Sequence, residues 1–272
     1  MKFPYKIGFL GMGNMAQALV KGWVDRKVID PKSVFAANRT PGKLLKAQEQ
    51  WGLQTCSTNE QVVDSSDIVI IAVKPQDFAA ALDPLISLFR PKQIVVSLAA
   101  GIKMRDLNKK VPDVRWVKVA ANTPAFIQRG VFGFFQGQSD PGVETTMTDL
   151  FSPLGRVFNC QNEDEFEALM VACSAGTGFV LELMMYFQDW IEEHGLEPEA
   201  AREMAVETFA GAALLASHQP NVELEDLQNK VISKKGITEA GLQSMRELEV
   251  ERLMRVSFEK AALRNQELSR NK

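Results

Sequence analysis

A short apolar strand that runs directly into a glycine-rich turn and a helix leaves a chain few folds to adopt. This chain opens with that arrangement. Ile7, Phe9 and Leu10 form a run suited to a buried parallel strand, Gly11-Met12-Gly13-Asn14-Met15-Ala16 follows at once, and Ala16, Leu19, Val20 and Trp23 recur at helical spacing. The spacing has a chemical reason. Gly11 permits the tight turn, Gly13 lets backbone approach a pyrophosphate, and Ala16 keeps helix and strand close. The start of the helix offers unpaired N–H groups and the positive end of its dipole to phosphate oxygens. The opening therefore predicts a dinucleotide-binding site.

Continuing along the chain, Ser33–Ala37 reads as a second strand. Where such folds select NADH they place Asp or Glu at the end of this strand, to accept from the ribose 2′-hydroxyl. Here the residues are Asn38-Arg39-Thr40. A guanidinium fork suits a 2′-phosphate, with Asn38 and Thr40 as further donors, so NADPH is the expected cofactor and NADH the alternative. Leu53-Gln54-Thr55 leads into a short third strand, and Thr58 is placed to cap a helix carrying Val62 and Val63. Asp67–Val73 is the clearest strand, a branched apolar run that implies burial on both faces, stopped by Lys74-Pro75. Further strands are expected over residues 94–98 and 114–119, and a final one over 130–135. The alternation of strands and helices predicts an α/β fold, a Rossmann-type doubly wound sheet.

From about Glu163 no strand is expected. Phe166, Leu169, Met170 and Cys173 begin one long helix to about Glu193, interrupted by Gly176 and Gly178, where close approach by a ligand or another helix is expected. His194-Gly195 ends it, Pro198 opens the next, and two further helical stretches flank Ser233–Gly236, the second reaching nearly to Lys272. The expected organisation is a dinucleotide-binding domain over residues 1–160 and an all-helical dimerisation and substrate domain over 161–272.

A length of 272 residues suits two domains. A net charge of −3 gives no reason to expect nucleic-acid binding, and no apolar run approaches membrane length. Cys56, Cys160 and Cys173 lack a CxxC pairing and the chain has two histidines, so reduced thiols, no metal site and a cytoplasmic location are expected.

These motifs, in this order, resemble the pyrroline-5-carboxylate reductases, which make proline by reducing a cyclic imine with NAD(P)H. The resemblance covers nearly the whole chain: IGFLGMGNMAQALVKG, ANRTPGKL, DIVIIAVKPQ, VSLAAGI, and Asn122-Thr123-Pro124-Ala125. It implies that Gly11, Met12, Gly13, Asn14 and Met15 line the pyrophosphate turn, and that Asn38, Arg39 and Thr40 hold the 2′-phosphate. It further implies that Asn59 touches the adenosine ribose, that Val73, Lys74 and Pro75 cover the middle of the cofactor, and that Asn122 helps place the nicotinamide. Ser233, Gly236, Ile237 and Thr238 fall where the family grips substrate, with Thr238 orienting the ring nitrogen in the catalytic step. A homodimer or higher oligomer with a shared site is also implied.

The chain departs from the family pattern in its second half. Ser233-Lys234-Lys235-Gly236-Ile237-Thr238 stands for Ser-Pro-Gly-Gly-(Thr/Ala)-Thr, Cys173–Phe179 for Ser-Gly-Ser-Gly-Pro-Ala-Tyr, and Lys118 for an arginine. A left-handed glycine replaced by Lys235 costs about 1 kcal/mol or forces another loop. The altered loop keeps two alternatives open: reduction of a different imine or carbonyl acid, and a catalytically weak nucleotide-binding regulator.

Overall fold

In a computed structural model, residues 3–270 are described. Eight strands form one sheet: β1 Ile7–Leu10, β2 Val34–Ala37, β3 Gln54–Thr55, β4 Ile68–Ile71, β5 Ile94–Ser97, β6 Arg115–Ala121, β7 Gly130–Gln136 and β8 Gly155–Asn159, in the order β3-β2-β1-β4-β5-β6-β7-β8. Strands β1 to β6 run parallel, β7 is antiparallel to β6, and β8 is parallel to β7. The order reverses direction at β1, creating the crevice between β1 and β4 where ligands bind in doubly wound sheets.

The helices of this part are α1 Asn14–Asp25, α2 Pro41–Trp51, α3 Asn59–Ser65, α4 Phe78–Leu82, α5 Met104–Lys110 and α6 Pro141–Phe151. They cover both faces, so alternate residues of each strand enter different cores. Phe9, Ile70, Val96 and Val119 pack with Trp23 and Phe151 on one side. Leu10, Val69, Ile71 and Val95 pack with Val62, Phe78 and Leu107 on the other. Trp23 donates its indole N–H to the Leu150 carbonyl at 2.7 Å, satisfying its one polar atom inside the core. Gly8 makes room for α3, since a Cβ there would lie 2.3 Å from Ser66 Oγ.

The expected strands are all present, with slightly different ends. An eighth, β8, was not expected. It is a half-exposed edge strand, without the buried run that marks β1 or β4.

Beyond the sheet come α7 Glu163–Met170, a π-turn at Val171–Ala175, and α8 Gly176–Glu193, with no break in the helical path. The expected interruption at Gly176 and Gly178 is thus a π-turn just before them. Outside its own helix backbone, a Cβ at either glycine would meet no atom of the described residues within 4 Å. The π-turn leans on the ends of β6 and β7: Cys173 donates its thiol to the Val131 carbonyl at 2.8 Å, and burial raises that thiol to about 12. The run Glu163–Glu193 is also long and apolar enough by composition to span a membrane, which corrects the expectation that no stretch approaches that length.

Helices α9 Pro198–His218, α10 Leu224–Val231, α11 Ile237–Glu247 and α12 Val250–Arg270 follow. The expected single helix after the Ser233–Gly236 loop is two, separated at Leu248-Glu249, where Glu249 has φ +53°. The chain divides into two compact units. One runs to Thr177 and takes in the segment from Ala261 onward; the other is Gly178–Lys260. Within the first, Asn265 Oδ1 accepts from the buried Gly101 N–H at 3.0 Å, and Leu268 fills the space beside Gly101.

An ion pair fastens α7 to the sheet. Lys118 on β6, with 4% of its side chain exposed, meets Glu163 at 2.6 Å, and its ammonium sits 4.7 Å from the centre of the Phe166 ring. Burial lowers the Lys118 pKa, with Glu163 partly opposing it. Burial also pushes the Glu163 carboxyl up, but bonds from Lys118 and the Met104 N–H, with the charges of Lys118 and Lys103, outweigh it and hold its pKa below the ordinary glutamate value. Removing the carboxylate leaves a buried, unpaired ammonium, so Glu163→Gln is expected to cost about 2–3 kcal/mol in urea unfolding. The sign with pH follows from the depressed value. This contribution is complete above the unfolded glutamate pKa and disappears as pH falls through the folded one, so the variant should show a flatter acid limb. Equal acid limbs for the two proteins would show that the pair contributes nothing.

Candidate dinucleotide cleft and substrate loop

The crevice at the carboxyl ends of β1, β2 and β4 opens into a cleft of about 590 Å³, a size that suits part of a nucleotide. Its floor is the turn after β1. Gly11 has φ +97° and a Cβ there would lie 3.0 Å from the Ala72 carbonyl, so both conformation and space require glycine. At Gly13, which lines the cleft, a Cβ would come no nearer than 4.0 Å to Ala72. Gly13 is the extended N-cap of α1, and the first helical bond is Gln17 N–H to Gly13 O, so the N–H groups of the first turn of α1 have no helical partner and are suited to an anion.

Gly11, Met12, Gly13, Asn38, Arg39, Thr40, Asn59, Val73 and Lys74 meet around this cleft. Three of the expected positions are used differently. The Met12 side chain is wholly buried in the core, and its backbone N–H donates to Asn38 Oδ1 at 3.1 Å. Asn38 spends its amide on the Thr40 carbonyl at 2.7 Å, so it braces the loop rather than extending a donor outward. Met15 packs against the core. Asn14 and Pro75 also lie off the cleft wall. Arg39 is left to face it, with 87% of its side chain exposed and Asp77 Oδ1 3.5 Å away.

Sequence reasoning missed Lys43, Ser57, Thr58 and Asp77, which complete the lining. Lys43 is one helical turn beyond Arg39 on the start of α2 and reaches Asn14 Oδ1 at 3.3 Å, a spacing that could have been read from the sequence. Asp77 comes from the turn after β4, and nothing local marks it. With Lys43 and Lys74, the cleft holds three basic groups suited to phosphates, so its residues fit a phosphorylated dinucleotide.

Asn122, at the end of β6, is buried and tied on both sides. Its Oδ1 accepts from Val131 N–H at 2.8 Å and its amide reaches Thr177 Oγ1 at 3.3 Å. It does not line the adenosine side of the cleft.

Ser233, Gly236, Ile237 and Thr238 stand together in the other unit, at the start of α11. Gly236 is the helix N-cap and donates to the Ser233 carbonyl at 2.8 Å. Ile237 is 93% exposed, and Thr238 is half-buried with no side-chain hydrogen bond among the described residues. Lys235 keeps the left-handed backbone, φ +58°, that a glycine would adopt without cost, and Glu239 Oε2 accepts from its N–H at 2.5 Å.

The chain is similar to known proteins over nearly its whole length. Residues 6–101 match a family described as NADP oxidoreductase coenzyme F420-dependent, and residues 163–268 match pyrroline-5-carboxylate reductase dimerisation. A pyrroline-5-carboxylate reductase of Arabidopsis thaliana is 30% identical, over 98% of this chain and 96% of its own. The structure of a pyrroline-5-carboxylate reductase from Coxiella burnetii superposes with a TM-score of 0.88 at 27% identity, over 97% of this chain and 98% of that one. At 21% identity, a Plasmodium falciparum pyrroline carboxylate reductase with NADP bound shares the fold, with a TM-score of 0.85 over 99% of this chain and 100% of that one.

Proposed function

Because the chain belongs to the pyrroline-5-carboxylate reductase family, we propose that it reduces 1-pyrroline-5-carboxylate to proline with NADPH. The observation that carries the cofactor choice is Arg39, exposed over the cleft at the position where an NADH site has an acid. NADPH, when bound, supplies the hydride that converts the imine carbon to a saturated one, and the ring nitrogen takes up a proton.

The chain's own residues position and polarise. The turn at Gly11–Gly13 and the first N–H groups of α1 hold the pyrophosphate, and Arg39 with Thr40 and Lys43 holds the 2′-phosphate. The Thr238 hydroxyl orients the imine nitrogen, while N–H groups at the start of α11 and Ser233 receive the carboxylate. No side chain has to become a nucleophile, so the rate comes chiefly from bringing two carbons into attack distance. The test is NADPH oxidation by the purified protein with pyrroline-5-carboxylate beside a panel of other imines and keto acids. Turnover confined to the panel would overturn the substrate assignment.

The protein is further proposed to work as a homodimer. Trp190 is 61% exposed and Leu181 54%, on a helix where Ile191 is the one buried residue. Apolar area of this kind is rarely left to water, and a second copy of the same helices covers it. That cover also accounts for the membrane-like composition of residues 163–193. Light scattering at micromolar concentration should give a dimer or a larger assembly; a stable monomer would refute it. The net charge of −3 and the unpaired thiols fit a cytoplasmic enzyme.

A further inference from the structure

Asp77 is out of place in the cleft. The lining carries three basic side chains, Arg39, Lys43 and Lys74, and one acidic one, Asp77, among the described residues. Asp77 is partly exposed at the cleft wall. It pairs with Arg39, Oδ1 to a guanidinium nitrogen at 3.5 Å, across from the loop after β4 to the loop after β2. Arg39 has no other side-chain partner among the described residues, and most of its surface is exposed. A site that collects cations for an anionic ligand thus holds an anion of its own on one of those cations.

We infer that Asp77 sets the discrimination between phosphorylated and unphosphorylated dinucleotides, by competing with the 2′-phosphate for Arg39. The inference rests on the NADPH reading of the cleft. A 2′-phosphate carries between one and two negative charges at neutral pH, so it gains from Arg39 and is repelled by a carboxylate beside it. NADH has a hydroxyl at that place and feels neither effect strongly. Asp77 therefore weakens NADPH binding and leaves NADH binding nearly alone, narrowing a preference that Arg39 would otherwise make wider. Because the pair is exposed, water screens it and the effect is moderate.

The test is calorimetric titration of the purified full-length protein with NADPH and with NADH, for wild type, Asp77→Asn and Asp77→Glu. Asparagine keeps the shape and removes the charge. Asp77→Asn should tighten NADPH roughly three- to tenfold and shift NADH by less than about twofold. The charge-preserving Asp77→Glu should stay near wild type. Unchanged or weaker NADPH binding by Asp77→Asn would overturn the inference. Equal tightening of both nucleotides would also overturn it, because the acid would then act on the shared pyrophosphate. Wild-type and Asp77→Asn proteins that both bind the two nucleotides alike would instead bring down the reading of Arg39 itself.

Discussion

Thr238→Ala is expected to lower kcat/KM for pyrroline-5-carboxylate roughly ten- to a hundredfold, the scale of one hydrogen bond to a charged or reacting group. Thr238 is half-buried at the first turn of α11 and its hydroxyl makes no hydrogen bond among the described residues, so its bonding capacity is available to a substrate. Alanine also loses the γ-methyl, but it is the better helix former, so the change should not unfold the helix. Affinity for NADPH should barely change, because the cleft is built from residues of the other unit. Turnover of every reducible substrate left untouched would show that the reacting nitrogen is not bound in this loop.

The second large effect belongs to Arg39→Asp. Losing a guanidinium–phosphate contact and gaining a repelling carboxylate should weaken NADPH roughly a hundredfold. NADH should be affected little, since an acid at the end of the second strand is what NADH sites use to accept from the ribose. A wild-type protein that prefers NADH, with a mutant behaving alike, would show that this arginine faces solvent and nothing else.

Much of the first unit could be read directly because its strands are buried on both faces. IGFL and IVII are apolar without a break, and the core that each residue enters follows from alternation alone. The same logic failed at β8, where exposure removes the selection for apolar residues and Arg156 and Asn159 look like loop. The turn from Gly11 to Gly13 was legible for a different reason, as conformation and space both restrict Gly11 to glycine.

Side chains that reach the cleft from separate loops carried less information. Asn38 has the composition of a ligand-binding residue, yet its hydrogen-bonding groups are consumed in holding the turn. Asp77 has no local signature at all. In the second half, the loop at Ser233 was recognised through family resemblance rather than periodicity. What the structure adds is that Lys235 tolerates a glycine's backbone angle, at a cost of about 1 kcal/mol, with Glu239 holding its N–H.

The return of Ala261–Leu268 to the sheet unit bears on how the chain is made. The bond from Gly101 to Asn265 joins residues 164 positions apart, and Leu268 closes the surface beside Gly101. A ribosome delivers β1 to β8 first, then the whole of Gly178–Lys260, and only afterwards the segment that completes the first unit. Until then the Gly101 N–H and the apolar surface around it wait uncovered, and a loop of this length must close before the contact returns any energy. The nascent sheet is therefore nearly finished long before it is sealed, and its last step of folding is timed by the end of synthesis of the helices rather than by its own strands.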